Sequence, residues 1–77
     1  MVYAKDNPYQ RERDVLGNTI RRLRENKKLS QEELASKANI DTSYLAKIEN
    51  GYVNTTVRYL IKISRALGVK VKDLFEF

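Results

Sequence analysis

Residues 30–51 read SQEELASKANIDTSYLAKIENG, a stretch that predicts two short helices joined by a tight turn. Ser30 and Glu33 fit the capping box S-x-x-E, in which both side chains bond backbone N–H groups at a helix N-terminus. Asn39 stands where the chain has to turn, and Asn tolerates the left-handed backbone region better than any residue except Gly. The stretch therefore predicts a helix-turn-helix.

The second helix of this motif carries polar side chains on its uncovered face. Asp41 is its candidate N-cap, the helix is predicted over residues 42–50, and Gly51 ends it. Leu45 and Ile48 face inward at helical spacing. The outward side chains are Thr42, Ser43, Lys47 and Asn50. In the helix-turn-helix that reads DNA, the second helix lies in the major groove, so this face is a candidate DNA-reading surface.

The segment before the motif predicts one longer helix. Leu16, Ile20 and Leu23 recur at helical spacing within residues 9–28, with charged residues between them. Gly17 costs a helix about 1 kcal/mol relative to Ala, so we interpret it as a point where the helix begins or bends.

The segments after the motif predict a fourth helix over residues 56–67, capped by Gly68, and a short fifth helix over residues 71–75. The inward positions of the fourth helix are Val57, Leu60, Ile63 and Leu67. Residues 1–8 show no helical period and are expected to form a flexible arm before a domain over residues 9–77. The fold class predicted is all-α, a single compact five-helix bundle with a central helix-turn-helix.

Charge and composition favour a polyanionic partner. The 77 residues contain 15 Lys and Arg against 10 Asp and Glu, a net charge of +5, which favours nucleic acid before membrane. Cys and His are absent, which removes disulfides and the common metal ligands. No apolar run approaches the roughly 18 residues of a membrane span, and no signal-peptide core is present, so a cytoplasmic location is expected. We predict no catalytic residue, no metal and no cofactor.

Several short sequence motifs resemble those of the phage repressor/Cro-type (XRE-like) helix-turn-helix family. They are LSQEELA at 29–35, IENG at 48–51, and ALGV at 66–69 followed by DLF at 73–75. Their order and spacing carry the resemblance, which covers most of the chain and implies the lambda-repressor-like DNA-binding domain. Four positions depart from the residues usual in the family, and none of them removes a group that would touch a ligand: Asn39, Thr55, Ser64 and Lys70.

The resemblance also implies DNA contacts. Thr42, Ser43 and Lys47 match positions that reach base edges; Lys suits guanine, whereas hydroxyls can serve any base. Gln31 would donate to a phosphate at a helix N-terminus. The other candidates for the DNA backbone are Tyr44, Asn50, Tyr52, Asn54 and Arg22. Structural alternatives stay open: small polar residues are common in a first helical turn, the Tyr44 ring can pack internally, and Asn50 can cap its helix.

Arg24 and Glu49 are expected to be structural. In the family that the chain resembles, the matching residues form a partly buried ion pair that ties the first helix to the recognition helix. Loss of one partner would strand the other charge inside the protein, at a cost of several kcal/mol. The other basic residues near Arg24 contact DNA or, alternatively, only form a solvated face of the first helix. They are Arg21, Arg22, Lys27 and Lys28.

A homodimer is expected, because one such domain presents few base contacts and two-fold dimers place their recognition helices about 34 Å apart. Large apolar side chains of the fourth and fifth helices offer a surface for it. These residues are Tyr59, Ile61, Val71, Phe75 and Phe77. Alternatively, Ile61 and Phe75 fill the domain's own core and Phe77 is a frayed end.

The sequence thus predicts a sequence-specific regulator of transcription that binds a (pseudo)palindromic double-stranded DNA operator as a homodimer. Small stand-alone proteins of this shape resemble restriction–modification controller proteins. No domain for a small-molecule effector is expected after the fifth helix. The alternative is an antitoxin-type protein-interaction module that neutralises a partner toxin and autoregulates, although such proteins usually add a toxin-wrapping tail.

Overall fold

The structure, a computed structural model, describes residues 9–76. The predicted arm over residues 1–8 and the last residue, Phe77, lie outside the described residues. Within residues 9–76 there are four α-helices and one short 3₁₀ helix, and no helix there is long and apolar enough to cross a membrane. The α-helices are α1 (Gln10–Asn26), α2 (Gln31–Ala38), α3 (Thr42–Glu49) and α4 (Val57–Leu67).

The fifth predicted helix is a single 3₁₀ turn over Val71–Leu74. The backbone N–H of Phe75 bonds the carbonyl of Lys72 at 3.1 Å, three residues back, which is the 3₁₀ pattern. Lys70 and Phe75 on either side have non-helical dihedral angles, so one turn is all that the segment can hold. The fold is therefore all-helical as predicted, but with four α-helices rather than five in the described part of the chain.

The local signals of the helix-turn-helix are confirmed. Ser30 Oγ accepts from the Glu33 N–H at 3.0 Å, and Glu33 Oε1 accepts from the Ser30 N–H at 2.7 Å, which completes the capping box. Asn39 turns the chain after α2 with φ 57° and ψ 50°, the left-handed region. Asp41 caps α3 by accepting from the N–H of Ser43 at 3.1 Å. Local chemistry therefore sets both ends of the turn.

The core contains apolar side chains from all four α-helices and from the 3₁₀ helix. Its fully buried large apolar residues are Ile20, Leu34, Leu45, Ile48, Ile63, Leu67 and Leu74. Each contributes on the order of 1.5–3 kcal/mol of burial free energy. Val57, predicted to face inward, is 67% exposed. It begins α4 beyond the edge of the core, and Leu60 is the first α4 residue that the core buries.

Gly17 does not begin α1, because the helix runs from Gln10 through this glycine to Asn26. A Cβ on Gly17 would lie 2.4 Å from the carbonyl oxygen of Glu49 and 2.5 Å from that of Ile48. The C-terminal end of α3 thus rests directly on the backbone of α1. Glycine is needed here for this close approach.

We expect Gly17→Ala to destabilise the protein by about 1–3 kcal/mol, because the added methyl group forces two packed backbones apart. At a position without that contact, Gly→Ala in a helix would instead stabilise by about 1 kcal/mol. Urea denaturation followed by circular dichroism measures the difference. Asn18→Ala, at the exposed neighbouring position, is the control and should change the free energy of unfolding by about 0.5 kcal/mol or less. A Gly17→Ala protein as stable as the parent would contradict the packing role.

Candidate nucleic-acid interface

Helix α3 presents a polar edge to solvent because its apolar residues face the core. Leu45, Ile48 and Glu49 are buried, whereas Ser43 and Lys47 are exposed and Thr42 is half-buried. We name Thr42, Ser43 and Lys47 the reading edge. The structure brings these three residues, predicted from the sequence to contact bases, onto one accessible part of α3.

Gln31, predicted to bind a phosphate, lies at the first position of α2 and contacts the end of α3. Its Nε2 atom donates to Glu49 Oε1 at 2.9 Å, and the side chain is half-buried. A side-chain amide has two N–H donors, so one remains for a phosphate. The phosphate contact stays a prediction.

Tyr44 packs internally. Its ring lies 4.7 Å from the ring of Tyr59, centroid to centroid, with an angle of 43° between the planes, and also packs against the core. Lys62 lies beside the same pair, its Nζ atom 5.7 Å from the centre of the Tyr59 ring. Tyr59 was predicted to lie in a dimer interface, and in the structure it joins α4 to α3. A phosphate contact through the Tyr44 hydroxyl stays a prediction.

The loop after α3 is tied to α1 by side chains that the sequence analysis did not single out. Arg21 Nη2 donates to Asn50 Oδ1 at 2.9 Å, and Arg13 Nη1 donates to Asn54 Oδ1 at 2.9 Å. Gln10, which is buried, donates from Nε2 to the carbonyl of Gly51 at 3.1 Å. These bonds hold the loop that contains Tyr52, an exposed residue.

A signal for these contacts was present in the sequence. Gln10, Arg13, Gly17, Arg21 and Arg24 follow one another at intervals of three or four residues, so they share one face of α1. That face lies against the end of α3 and the loop after it.

Arg22, predicted to contact the DNA backbone, does not lie on the face of α1 that contacts the end of α3. Successive helical residues point about 100° apart, and the guanidinium of Arg22 forms an ion pair with the carboxylate of Glu76 near the C-terminal end. Its neighbour Arg21, unlike Arg22, contacts the end of α3. The contact of Arg22 with the DNA backbone stays a prediction.

Arg24 and Glu49 form a bidentate ion pair. Arg24 donates from Nε to Glu49 Oε2 at 2.8 Å and from Nη2 to Glu49 Oε1 at 3.1 Å. Its Nη1 atom donates to the carbonyl of Leu29 at 2.8 Å, which fixes the connection between α1 and α2. The hydrogen bonds that Arg24 donates to Glu49 raise the pKa of its guanidinium against the opposing effect of burial.

Glu49 collects donors from two helices. Its exposed fraction is 1%, and its carboxylate accepts from Arg24 of α1 and Gln31 of α2, with Arg21 Nε of α1 3.5 Å away. We name Arg21, Arg24, Gln31 and Glu49 the anchor network. It fixes the C-terminal end of α3 relative to the two helices before it.

The residues predicted for a dimer interface differ in how far they are buried. Tyr59 and Ile61 are half-buried, Val71 packs against the core, and Phe75 is 41% exposed. Phe77 lies outside the described residues. Val71 therefore serves the domain's own interior in part.

Within residues 9–76, no group of three or more acidic side chains could hold a metal ion.

Comparisons with known proteins identify the family of this chain. A helix-turn-helix family model matches residues 20–74. The chain is 39% identical over 64 residues to control protein C.BamHI of Bacillus amyloliquefaciens, covering 82% of this chain and 79% of that one. It is similar to the restriction-modification controller protein C.AhdI of Aeromonas hydrophila, with a TM-score of 0.83, 34% identity, and 84% and 98% of the two chains covered.

A third similar structure is that of SinR, the master regulator for biofilm formation, in complex with DNA. Its TM-score is 0.72 with 40% identity, and 77% of this chain and 95% of that one are covered. On the family model and these identities, the chain belongs to the helix-turn-helix family.

The anchor network predicts strong coupling between Arg24 and Glu49. We expect Arg24→Met to cost about 3–5 kcal/mol of unfolding free energy, since a buried carboxylate loses its principal partner. Glu49→Leu should also destabilise the protein. The double variant should lose less than the sum of the two, with a coupling energy of about 1 kcal/mol or more.

Urea denaturation of the parent, the two single variants and the double variant measures this coupling energy. Arg22→Met, which breaks an exposed ion pair on the same helix, is the matched control, with an expected cost of about 1 kcal/mol or less. Additive effects of the Arg24 and Glu49 substitutions would show that the pair is not coupled.

Proposed function

We propose that the protein regulates transcription by binding a specific double-stranded DNA operator as a homodimer in the cytoplasm. The observation that carries the proposal is the reading edge: Thr42, Ser43 and Lys47 reach solvent from a helix whose end is fixed by a buried ion pair. A rigid helix with an accessible polar edge suits the major groove, which admits an α-helix and displays a distinct pattern of donors and acceptors for each base pair.

The mechanism divides the contacts into two kinds. Lys47 donates to guanine O6 or N7, and the hydroxyls of Thr42 and Ser43 contact neighbouring bases. Backbone phosphates are held by the remaining N–H of Gln31 and by the loop of Asn50, Tyr52 and Asn54. The bonds from α1 to this loop support the second role, because they fix the loop before DNA arrives.

Two copies are needed for useful specificity. A two-fold dimer would place its two α3 helices in successive major grooves, about 34 Å apart, and would require an operator with matching symmetry. The partly exposed side chains of Ile61, in the middle of α4, and of Phe75, just after the 3₁₀ helix, support a dimer contact through these elements. The similarity to C.BamHI and C.AhdI supports a narrower proposal, that the protein is a controller of a restriction–modification system.

Lys47→Ala tests the reading role. We expect it to reduce the discrimination between operator and random DNA by about 1–3 kcal/mol, because a base contact is lost. Gel-shift titration on both DNAs gives the two affinities. Arg65→Ala removes an equal charge from an exposed site in the last turn of α4 and should leave discrimination unchanged. Equal discrimination by the parent and the Lys47→Ala protein would reject the reading role.

Binding should also depend steeply on salt. Each phosphate that the protein neutralises releases counterions, so the logarithm of the binding constant should fall linearly with the logarithm of salt concentration, by about 0.9 for each phosphate. Fluorescence anisotropy between 50 and 200 mM salt, roughly the range in which such losses are large, measures the slope. A binding constant that does not change with salt would contradict DNA as the partner.

A further inference from the structure

Ser43 and Asp41 are joined twice at the start of α3. The Ser43 backbone N–H donates to Asp41 Oδ2, and the Ser43 hydroxyl donates to the same oxygen. Both residues are exposed. The hydroxyl bond, the backbone N–H groups of Tyr44 and Ser43 and the charge of Lys47 lower the pKa of the Asp41 carboxyl. The carboxylate therefore stays ionised at neutral pH.

This pairing determines what the Ser43 hydroxyl can offer to DNA. A serine hydroxyl has one proton and two acceptor lone pairs, and an ionised carboxylate accepts hydrogen bonds without returning one. With its proton directed to Asp41, Ser43 keeps only acceptor lone pairs for the groove. The sequence alone left this hydroxyl able to serve any base.

We propose that Asp41 is a positioning residue that makes Ser43 an acceptor, so that Ser43 selects a base with an exocyclic amino group. In the major groove these donors are adenine N6 and cytosine N4, whereas guanine offers acceptors and thymine offers an acceptor and a methyl group. A contact with guanine or thymine through the hydroxyl proton would break its charge-assisted bond to Asp41. The inference rests on the proposed function, since α3 must enter the groove.

Asp41→Gly isolates this role from helix capping. Glycine is nearly as good an N-cap as Asp, so α3 should persist, while the Ser43 hydroxyl loses its acceptor and can rotate to donate. The substitution also removes a negative charge beside the DNA. If Asp41 only stabilised α3, the substitution would weaken binding to every DNA. If Asp41 orients the Ser43 hydroxyl, the substitution changes which base is preferred.

The experiment is selection from a pool of randomised DNA duplexes, followed by competition gel shifts with duplexes that differ at one position. The parent should select one base pair at one position of each half-site. Because every base pair carries one amino group in the major groove, the group that is read is identified by replacing adenine with purine, or cytosine with 2-pyrimidinone, at that position. Loss of the amino group should weaken binding of the parent by about fivefold or more. Ser43→Ala and Asp41→Gly should each reduce that preference by about fivefold or more, the equivalent of one hydrogen bond, and leave other positions unchanged. Affinity of Asp41→Gly for random DNA should not fall.

Two controls sharpen the result. Ser30→Gly makes the same kind of N-cap change on α2, far in sequence from Ser43, and should leave the preference intact. Asp41→Asn keeps a neutral acceptor and should retain part of it, because a neutral acceptor holds the hydroxyl less strongly than a carboxylate.

Three results would overturn the inference. Unchanged affinity after removal of the amino group at the position that Ser43→Ala relaxes, an unchanged preference in Asp41→Gly, or no position relaxed by Ser43→Ala would each do so. A selected operator would still support the proposed function in all three cases. Enrichment of no sequence by the parent would overturn both.

Discussion

The carboxylate of Glu49, the last residue of α3, is shielded from water and bonded by Arg24 and Gln31. An ionised group in such a place is tolerated because the donors replace its lost hydration, and it becomes costly if they leave. Those donors come from α1 and α2, so a single charge requires three helices to keep one mutual arrangement. The position of the reading edge is a consequence of this requirement.

Helix α3 could not hold that position alone. It has eight residues, and isolated helices shorter than about 12–15 residues are marginal in water. Leu45 and Ile48 anchor one face in the core, Asp41 bonds the first turn, and Glu49 fixes the last. Nearly every side chain that does not serve packing or capping is therefore left on the outer edge. Stability and recognition are divided between the two faces of one short element.

Features that depend on neighbours in sequence could be predicted from the residues themselves. Among contacts between distant residues, the Arg24–Glu49 ion pair was expected only through the family resemblance, and the others were not predicted. The capping box at Ser30 and the turn at Asn39 follow from local chemistry. Gly17 was misinterpreted because the backbone that it approaches is about thirty residues away in the chain, and a lone glycine carries no sign of its partner. Arg21 and Arg22 look alike in the sequence; only the direction of each around α1 separates a contact with α3 from one with Glu76.

The absence of a side chain at Gly17 has a consequence for how the protein could adapt to different operators. Backbone meets backbone between α1 and the end of α3, so there is no soft layer that would let α3 slide or tilt within its own subunit. In the proposed dimer, any change in the distance between half-sites would have to be met by the joint between the two subunits or by bending of the duplex. Exchanges along the outer edge of α3 could then alter the sequence that is read while the angle of approach stays the same.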